Sequence, residues 1–407
     1  MRRGFFNTEQ TKMASRSGKH SLSCAACGLY KDCRTPRMDP YGENQRNILV
    51  IGEAPGETED RQGKPFVGKT GQLLQKTFAE QGIDLFRDCL VLNAVNCRPQ
   101  DNDTPTDHQI DCCRVVKVNK TLKEYNPRAI VLVGNIALRS FLGGRWKRDL
   151  HGINTWRGMR FPDQEYGAWV FPIWHPSYVE RRDRDREFMT IWNQDIENIR
   201  THYNDDLPKH KKPKIEIIED LTLLDEIQSG MVSIDFETTG LKPHAPGHRI
   251  VSASVSPDKD TAYAFLMPKT RKKRRPFLNL LTNNQVTKMA HNMKFEQAWS
   301  MYRLGVEINN LGFDSMLAAH LLDNRPNITS LAFQAYLYLG IMEYDQEVGQ
   351  YLKSVESKNG NSHNRLEEFI EAGGERPTLI YNGMDTIVQY RIAVEQIKIM
   401  NYDFLPF

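Results

Sequence analysis

The sequence predicts two α/β domains joined in one chain, on three observations. At 407 residues it exceeds the size at which a single hydrophobic core keeps growing. Short apolar runs alternate with helical stretches twice, once before residue 205 and again after residue 214. All cysteines lie at or before Cys113, so the two halves are built with different chemistry. The expected domains are residues 1–204 and 215–407, with the polar, proline-punctuated stretch 205–214 as linker.

In chain order, NILVIGEAP (47–55) is an apolar run ending in Gly and Pro, a buried strand that enters a loop. CLVLNAV (89–95), AIVLVG (129–134) and WVFPIWHP (169–176) are further strand-like runs. GQLLQKTFAEQG and DCCRVVKVNKTLKEYN lie between them and read as helices, which implies a parallel sheet covered by helices. After the linker, MVSIDFETTG, RIVSASVS and TAYAFLM are three strand-like runs, and from about residue 282 the pattern turns helical.

Composition narrows the class. Hydrophobic residues at 40% and charged residues at 26% describe a chain able to bury a core, not a disordered one. No apolar run approaches the ~18 residues of a membrane-spanning helix. MRRGFFNTEQTK has no apolar stretch behind its arginines, so a secretory signal is not expected and a cytoplasmic location is. In a reducing compartment, clustered cysteines point to a metal or cluster more than to disulfides. Net charge is only +3, but KHKKPK (209–214) and KTRKKRR (269–275) are dense basic runs. Each is either a solvated segment or, as a loop beside a nuclease site, a source of phosphate affinity.

Three acidic motifs carry the chemistry of the second half. Asp235 and Glu237 are two apart at the end of an apolar strand, so both face one side and can share a divalent ion. Ala290–Glu296 (AHNMKFE) is the second motif. In the third, Tyr381 and Asp385 are four apart and share a helix face. In this order the set, with the segment GFDSMLAAHLLDNRPNITSLAFQAYLYLG, resembles the proofreading 3′–5′ exonuclease domain of family-A DNA polymerases, over roughly residues 215–400. The resemblance implies an RNase H-like DEDD domain with a mixed sheet. It implies that Asp235, Glu237 and Asp385 hold one Mg2+ or Mn2+. Glu296 stands where the family most often has Asp and would hold the second ion. Tyr381 would orient the attacking water, and Leu241 and Asn292 would position the 3′ end. Two metals roughly 4 Å apart suit in-line displacement at phosphorus. Asp314 is expected to be a helix-start or packing residue. The chain stops shortly after Asp385 without thumb, fingers or palm, and it is expected to be the N-terminal part of a longer, viral polymerase.

In the first half, Cys24 and Cys27 form a CxxC, and Cys97 and Cys113 follow. Four thiolates accept zinc or a [4Fe–4S] cluster, and ligand count does not separate the two. Between the cysteines lie GEAPGETED (52–60), GKPFVGKTGQLL (63–74) and NAVNCRP (93–99), and HPSY (175–178) follows. This series resembles the family-4, iron–sulfur uracil-DNA glycosylases over roughly residues 20–200. The resemblance implies a uracil-DNA-glycosylase-like α/β/α sandwich in which Cys24, Cys27, Cys97 and Cys113 hold a [4Fe–4S] cluster. Cys112 is the adjacent alternative, while Cys33 and Cys89 fall outside the pattern. Uracil would be flipped into a site made by Ala54, Phe66, Asn93 and His175. Phe66 would stack on the base and Asn93 would read its amide edge. His175 would stabilise charge growing on the base O2, and Glu53 would position water or stabilise the cationic sugar. One departure stands out. Gln100–Thr104 (QDNDT) places acids where such enzymes carry a basic residue, which weakens local phosphate contact. The first domain is therefore expected to excise uracil or, as the alternative, only to read a base or dock a partner. The partners implied are DNA, as 3′ ends and uracil-containing strands, and a polymerase domain or subunit.

Overall fold

The computed structural model describes residues 22–182, 185–342, 344, 347–355 and 362–401. Its contacts separate into two compact units that divide between Pro208 and Lys209.

The first unit holds strands β1 (Ile48–Gly52), β2 (Cys89–Asn93), β3 (Ala129–Val133), β4 (Phe161–Asp163) and β5 (Ala168–Ile173). They order as β2-β1-β3-β5-β4. Strands β1, β2, β3 and β5 pair in parallel and are buried at every position, which is why each reads as an unbroken apolar run. The short β4 runs antiparallel along the edge and was not legible as a strand. Its FPD sequence carries a proline, tolerated at an edge, and the fully buried Asp163, which pairs with Arg145 at 2.6 Å. The parallel strands all end at one edge of the sheet: Gly52 opposite Asn93, Val133 opposite Ile173. Ligands of open parallel sheets bind along such a carboxyl edge.

The second unit holds β6 (Lys214–Ile217), β7 (Gly230–Thr238), β8 (Ile250–Ser256), β9 (Thr261–Leu266), β10 (Val286–Ala290) and β11 (Leu311–Asp314). Their order is β11-β10-β7-β8-β9-β6, with β8 antiparallel to both neighbours and the other pairings parallel. Strands β10 and β11 fall where the sequence suggested helix, and β6 starts at the last residue of the expected linker. In β10 (VTKMA) the fully buried Lys288 breaks the apolar run, and its Nζ donates to the carbonyls of Asn283 at 2.5 Å and Val286 at 2.9 Å.

The two faces of this sheet differ. One packs Ile234, Phe236, Ala253, Val255 and Phe265 against the helix Arg271–Thr282, whose Phe277 meets the rings of Phe236 and Phe265 edge-on. The opposite face is polar yet buried. Ser233, Asp235 and Glu237 of β7 lie opposite Ser256, Ser254 and Ser252 of β8. The helix Glu375–Met400 satisfies them: Ser254 Oγ donates to the Asn382 carbonyl at 2.8 Å, Ser252 Oγ to Asn382 Oδ1 at 3.1 Å, and Ser256 Oγ bonds Thr386 Oγ1 at 3.1 Å. Ser233 bonds Gln389. This serine ladder fixes the helix, and hence Tyr381 and Asp385, over the end of β7.

Candidate active sites

In the second unit, β7 presents Asp235 and Glu237 on one face, and the docked helix brings Asp385 to them. One ligand oxygen from each lies within 4.8 Å of the others. Glu296, in the helix Met293–Trp299 that follows β10, is 2% exposed, and its Oε2 makes no hydrogen bond among the described residues. An orphaned buried carboxylate oxygen is costly unless a cation or proton meets it. Burial, then the charges of Asp235, Asp385 and Glu296, pushes Glu237 well above the usual carboxylate range. Burial, then the charge of Asp235, does the same to Glu296. Burial pushes Asp235 up to about 7, opposed by the Asn382 amide, which donates to Asp235 Oδ2 at 2.6 Å. Three carboxylates that resist ionising together, with Asp385 beside them, are the donor set hard divalent ions take, so the residues fit Mg2+ or Mn2+.

Tyr381 is half-buried beside this group. Burial, then the Asp385 carboxylate, raises its phenol well above the ordinary value, so it stays a hydrogen-bond donor. Asn292 adopts a left-handed backbone (φ 77°) at the start of the Glu296 helix. Asp314 accepts from the backbone N–H of Asn292 at 3.1 Å and Met293 at 2.9 Å, and caps the next helix through Met316 and Leu317. It is a helix-start residue that also pins the second motif. Leu241 lies just past β7 and is 63% exposed. Two residues escaped the sequence reading. Asn382 holds Asp235, and Tyr344 donates from its phenol to Asp385 Oδ1 at 2.5 Å. Nothing periodic marks Tyr344, but Asn382 lies one residue past Tyr381 inside a motif already identified.

In the first unit, the carboxyl ends of the strands gather the other expected residues. Asn93, at the end of β2, is 3% exposed, and its side-chain amide makes no hydrogen bond among the described residues. Its backbone is instead fixed by Asn96, whose Oδ1 accepts from Asn93 N and whose Nδ2 donates to Asn93 O at 2.6 Å. Neighbouring Gly52 leaves no room for a side chain: a Cβ there would stand 2.5 Å from both Asn93 Oδ1 and Phe66 Cζ. The Phe66 ring and the free amide therefore flank one backbone position. Phe66 holds φ at 55°, strained for a bulky residue, with its carbonyl accepting from Gln75 at 2.7 Å. Burial raises the Glu53 carboxyl.

His175 follows β5 and caps the helix Pro176–Glu180. Its Nδ1 accepts the backbone N–H of Ser177 at 3.3 Å, which puts the neutral ring's proton on Nε2. Burial, aided by Arg181, lowers its pKa to about 4, so near neutral pH it is an uncharged donor. The Cβ of Gly134, were there one, would lie 2.9 Å from His175 Cβ, so glycine allows this approach.

Cys24 and Cys27 sit on one short helix, capped by Ser23 and ended by left-handed Gly28. With Cys97, Cys112 and Cys113 they line a cavity of about 350 Å3. No three of these sulfurs lie within 4.8 Å of one another among the described residues. Tetrahedral zinc, with Zn–S near 2.3 Å, needs sulfurs about 3.8 Å apart. The ring of thiols fits a multi-atom cluster better. Cys113 faces Cys24, Cys27 and Cys97, and its sulfur accepts the Asn96 N–H at 3.3 Å. Cys97 Sγ accepts the Arg37 N–H at 3.1 Å. Cys112 lines the cavity too, but its sulfur lies 3.6 Å from His108 Nε2. Cys33 bonds Cys97 outside the cavity lining, and Cys89 is buried in β2. Burial raises the thiols of Cys27, Cys97 (to about 12) and Cys113.

A hydrolytic 3′–5′ exonuclease domain beside a glycosylase-type domain is the class these features define. Residues 40–197 match the model of the uracil DNA glycosylase superfamily, and residues 215–394 match that of the 3′–5′ exonuclease family. The type-4 uracil-DNA glycosylase of Thermotoga maritima is 36% identical over 178 residues, covering 44% of this chain and 88% of that one. Through its first unit the chain belongs to the type-4 uracil-DNA glycosylase family. The DNA polymerase of Bacillus phage SP01 is 23% identical over 344 residues, 74% of this chain but 35% of that one. The catalytic core of RRP6 from Trypanosoma brucei covers 48% of this chain and 51% of its own, at 14% identity and a TM-score of 0.34. Among the described residues no helix is long and apolar enough to cross a membrane.

Proposed function

We propose that the second unit removes nucleotides from DNA 3′ ends and that the first flips and recognises uracil. The reading of the second unit rests on one observation: three carboxylates within 4.8 Å, with the orphaned Glu296 oxygen beside them. Asp235, Glu237 and Asp385 would hold one Mg2+ or Mn2+, and Glu296 the second. The bound metals would supply charge neutralisation and a water acidic enough to attack phosphorus. Tyr381, kept protonated, donates to that water and orients it. Leu241 and Asn292, both between Glu237 and Glu296 in sequence, flank the terminal nucleotide.

In the first unit, Phe66 stacks on the flipped base beside Ala54, and the unpaired Asn93 amide gives the uracil edge a donor and an acceptor. His175 Nε2–H meets the charge that develops on O2, and Glu53 faces the sugar. A neutral donor suits this task, since it needs no proton transfer to stabilise an anion. Cys24, Cys27, Cys97 and Cys113 would hold a [4Fe–4S] cluster, which would tie the N-terminal segment to the sheet. The alignment of both units with a phage polymerase supports a place ahead of a family-A polymerase domain, acting in the cytoplasm of a host cell.

Paired variants test the assignment. Asp235→Ala with Glu237→Ala should abolish nucleotide release and leave uracil binding intact, and His175→Ala should abolish uracil release with the nuclease intact. Persistence of nuclease activity in the double variant would sink the metal site. A second reading, recognition without excision, is favoured by the exposed loop Gln100–Asp103, whose Asp101 and Asp103 repel the phosphates that hold a strand for cutting.

A further inference from the structure

The run RKKRR, read from sequence as either a solvated segment or a basic loop, opens the helix Arg271–Thr282, capped by Thr270. Arg271, Lys272, Lys273 and Arg275 are exposed. No acid lies within ion-pair distance of any of them among the described residues, and only Arg274 is tied down, donating to the Pro268 and Lys269 carbonyls. Concentrated, uncompensated positive charge at the amino end of a helix opposes the helix dipole, and an anion relieves it. Arg271, Lys272, Arg275 and Asn279, with Val306, line an open groove of about 530 Å3.

The register gives this groove its relation to the nuclease site. Ser252 pairs with both Glu237 and Leu266, so β9 ends level with the acids, two strands away, and the basic helix starts from that edge. Strand and layer spacings of about 4.8 and 10 Å put the helix axis roughly 15 Å from the strand that carries the acids, on the other face of the sheet, with the groove on the helix's outer side. A strand bound at the acids reaches it by bending round the edge, and at about 3.4 Å or more per phosphate this takes some five nucleotides.

We propose that Arg271, Lys272 and Arg275 bind the phosphates of the DNA strand some five nucleotides behind the 3′ end. This rests on the nuclease reading of the same unit. The contacts are to backbone charge and carry no sequence preference.

The test uses the full chain and three substrates: the p-nitrophenyl ester of thymidine 5′-monophosphate, a dinucleotide and a 20-nucleotide strand. Arg271→Glu/Lys272→Glu/Arg275→Glu should hydrolyse the two small substrates within twofold of the parent rate. Its KM for the long strand should rise at least tenfold. The slope of log affinity against log salt should shrink by about 2, three contacts at ~0.7 each. An unchanged KM and slope for the long strand would overturn the proposal, as would equal losses on all three substrates in a variant with a normal melting curve. If the triple Glu variant melts early, Arg271→Gln/Lys272→Gln/Arg275→Gln decides, with the same direction required. If the parent cuts none of the substrates, the nuclease reading fails instead. Anisotropy of the labelled 20-mer then still shows whether the groove holds DNA.

Discussion

Replacing Asn382 by alanine isolates what positions the metal-site acids without touching an acid. Asn382 is fully buried, its Nδ2 donates to Asp235 Oδ2 at 2.6 Å, and its Oδ1 accepts from Ser252 Oγ at 3.1 Å. A hydrogen bond to a charged group contributes about 1.5–3 kcal/mol, and the stranded Ser252 hydroxyl adds about 1 kcal/mol. The variant should therefore lose about 3 kcal/mol of stability. Removing the amide also lets Asp235 rotate away and raises its pKa further, because the amide is what opposes burial there. Partners that orient a metal ligand typically set affinity by about 10–100-fold. Initial rates of 3′ nucleotide release against Mg2+ concentration should show half-saturation displaced by that factor, with the saturated rate less affected. Urea melts at matched metal concentration read the stability loss. A normal metal dependence in a destabilised variant would refute the reasoning and reduce Asn382 to a packing residue.

Other perturbations probe the remaining parts. His175 has a folded pKa near 4 against an unfolded value of about 6.5, so its contribution to stability is complete above pH 6.5 and is lost as pH falls toward 4. Uracil release in EDTA should accordingly be flat from pH 5 to 8 as far as this ring is concerned, and a ring titration near 6.5, read for His175 by NMR, would contradict the neutral-donor assignment. Gly52→Ala drives a Cβ into Asn93 and Phe66 and should cut uracil affinity at least tenfold, measured by titrating free uracil or uracil-containing DNA, while the nuclease rate stays unchanged. Cys113→Ser should remove absorbance near 400 nm from the purified protein, whereas Cys112→Ser should keep most of it; the reverse pattern would move the fourth ligand to Cys112. Saturating Mg2+ relieves the buried carboxylates and should raise the melting temperature, by the equivalent of about 2.7 kcal/mol at a hundredfold excess over Kd, an effect absent from Asp235→Ala.

Residues near one another in sequence were legible. Asp235 and Glu237 announce a shared strand face by their spacing of two, and Tyr381 and Asp385 a shared helix face by their spacing of four. The buried parallel strands announce themselves because both faces are covered. What the sequence concealed depends on contacts across long separations. Ser252 and Ser254 look like ordinary strand residues until Asn382, about 130 positions on, docks over them. Strand β10 hides behind Lys288, whose charge is tolerated because two backbone carbonyls accept hydrogen bonds from its ammonium group. The basic run 271–275 gives no sign of helix because its cap, Thr270, and the anchoring Phe277 must both find their places first.

The most direct test of two independent sites in one chain is a gel assay on 5′-end-labelled single-stranded DNA with one internal uracil, run in EDTA and in Mg2+. The account predicts alkali-sensitive cleavage at the uracil in EDTA, because excision needs no divalent ion, and a ladder shortening from the 3′ end that appears only with Mg2+. A ladder without cleavage at uracil would leave the first unit a reader of bases. A ladder that persists in EDTA would contradict the metal site on which the account stands.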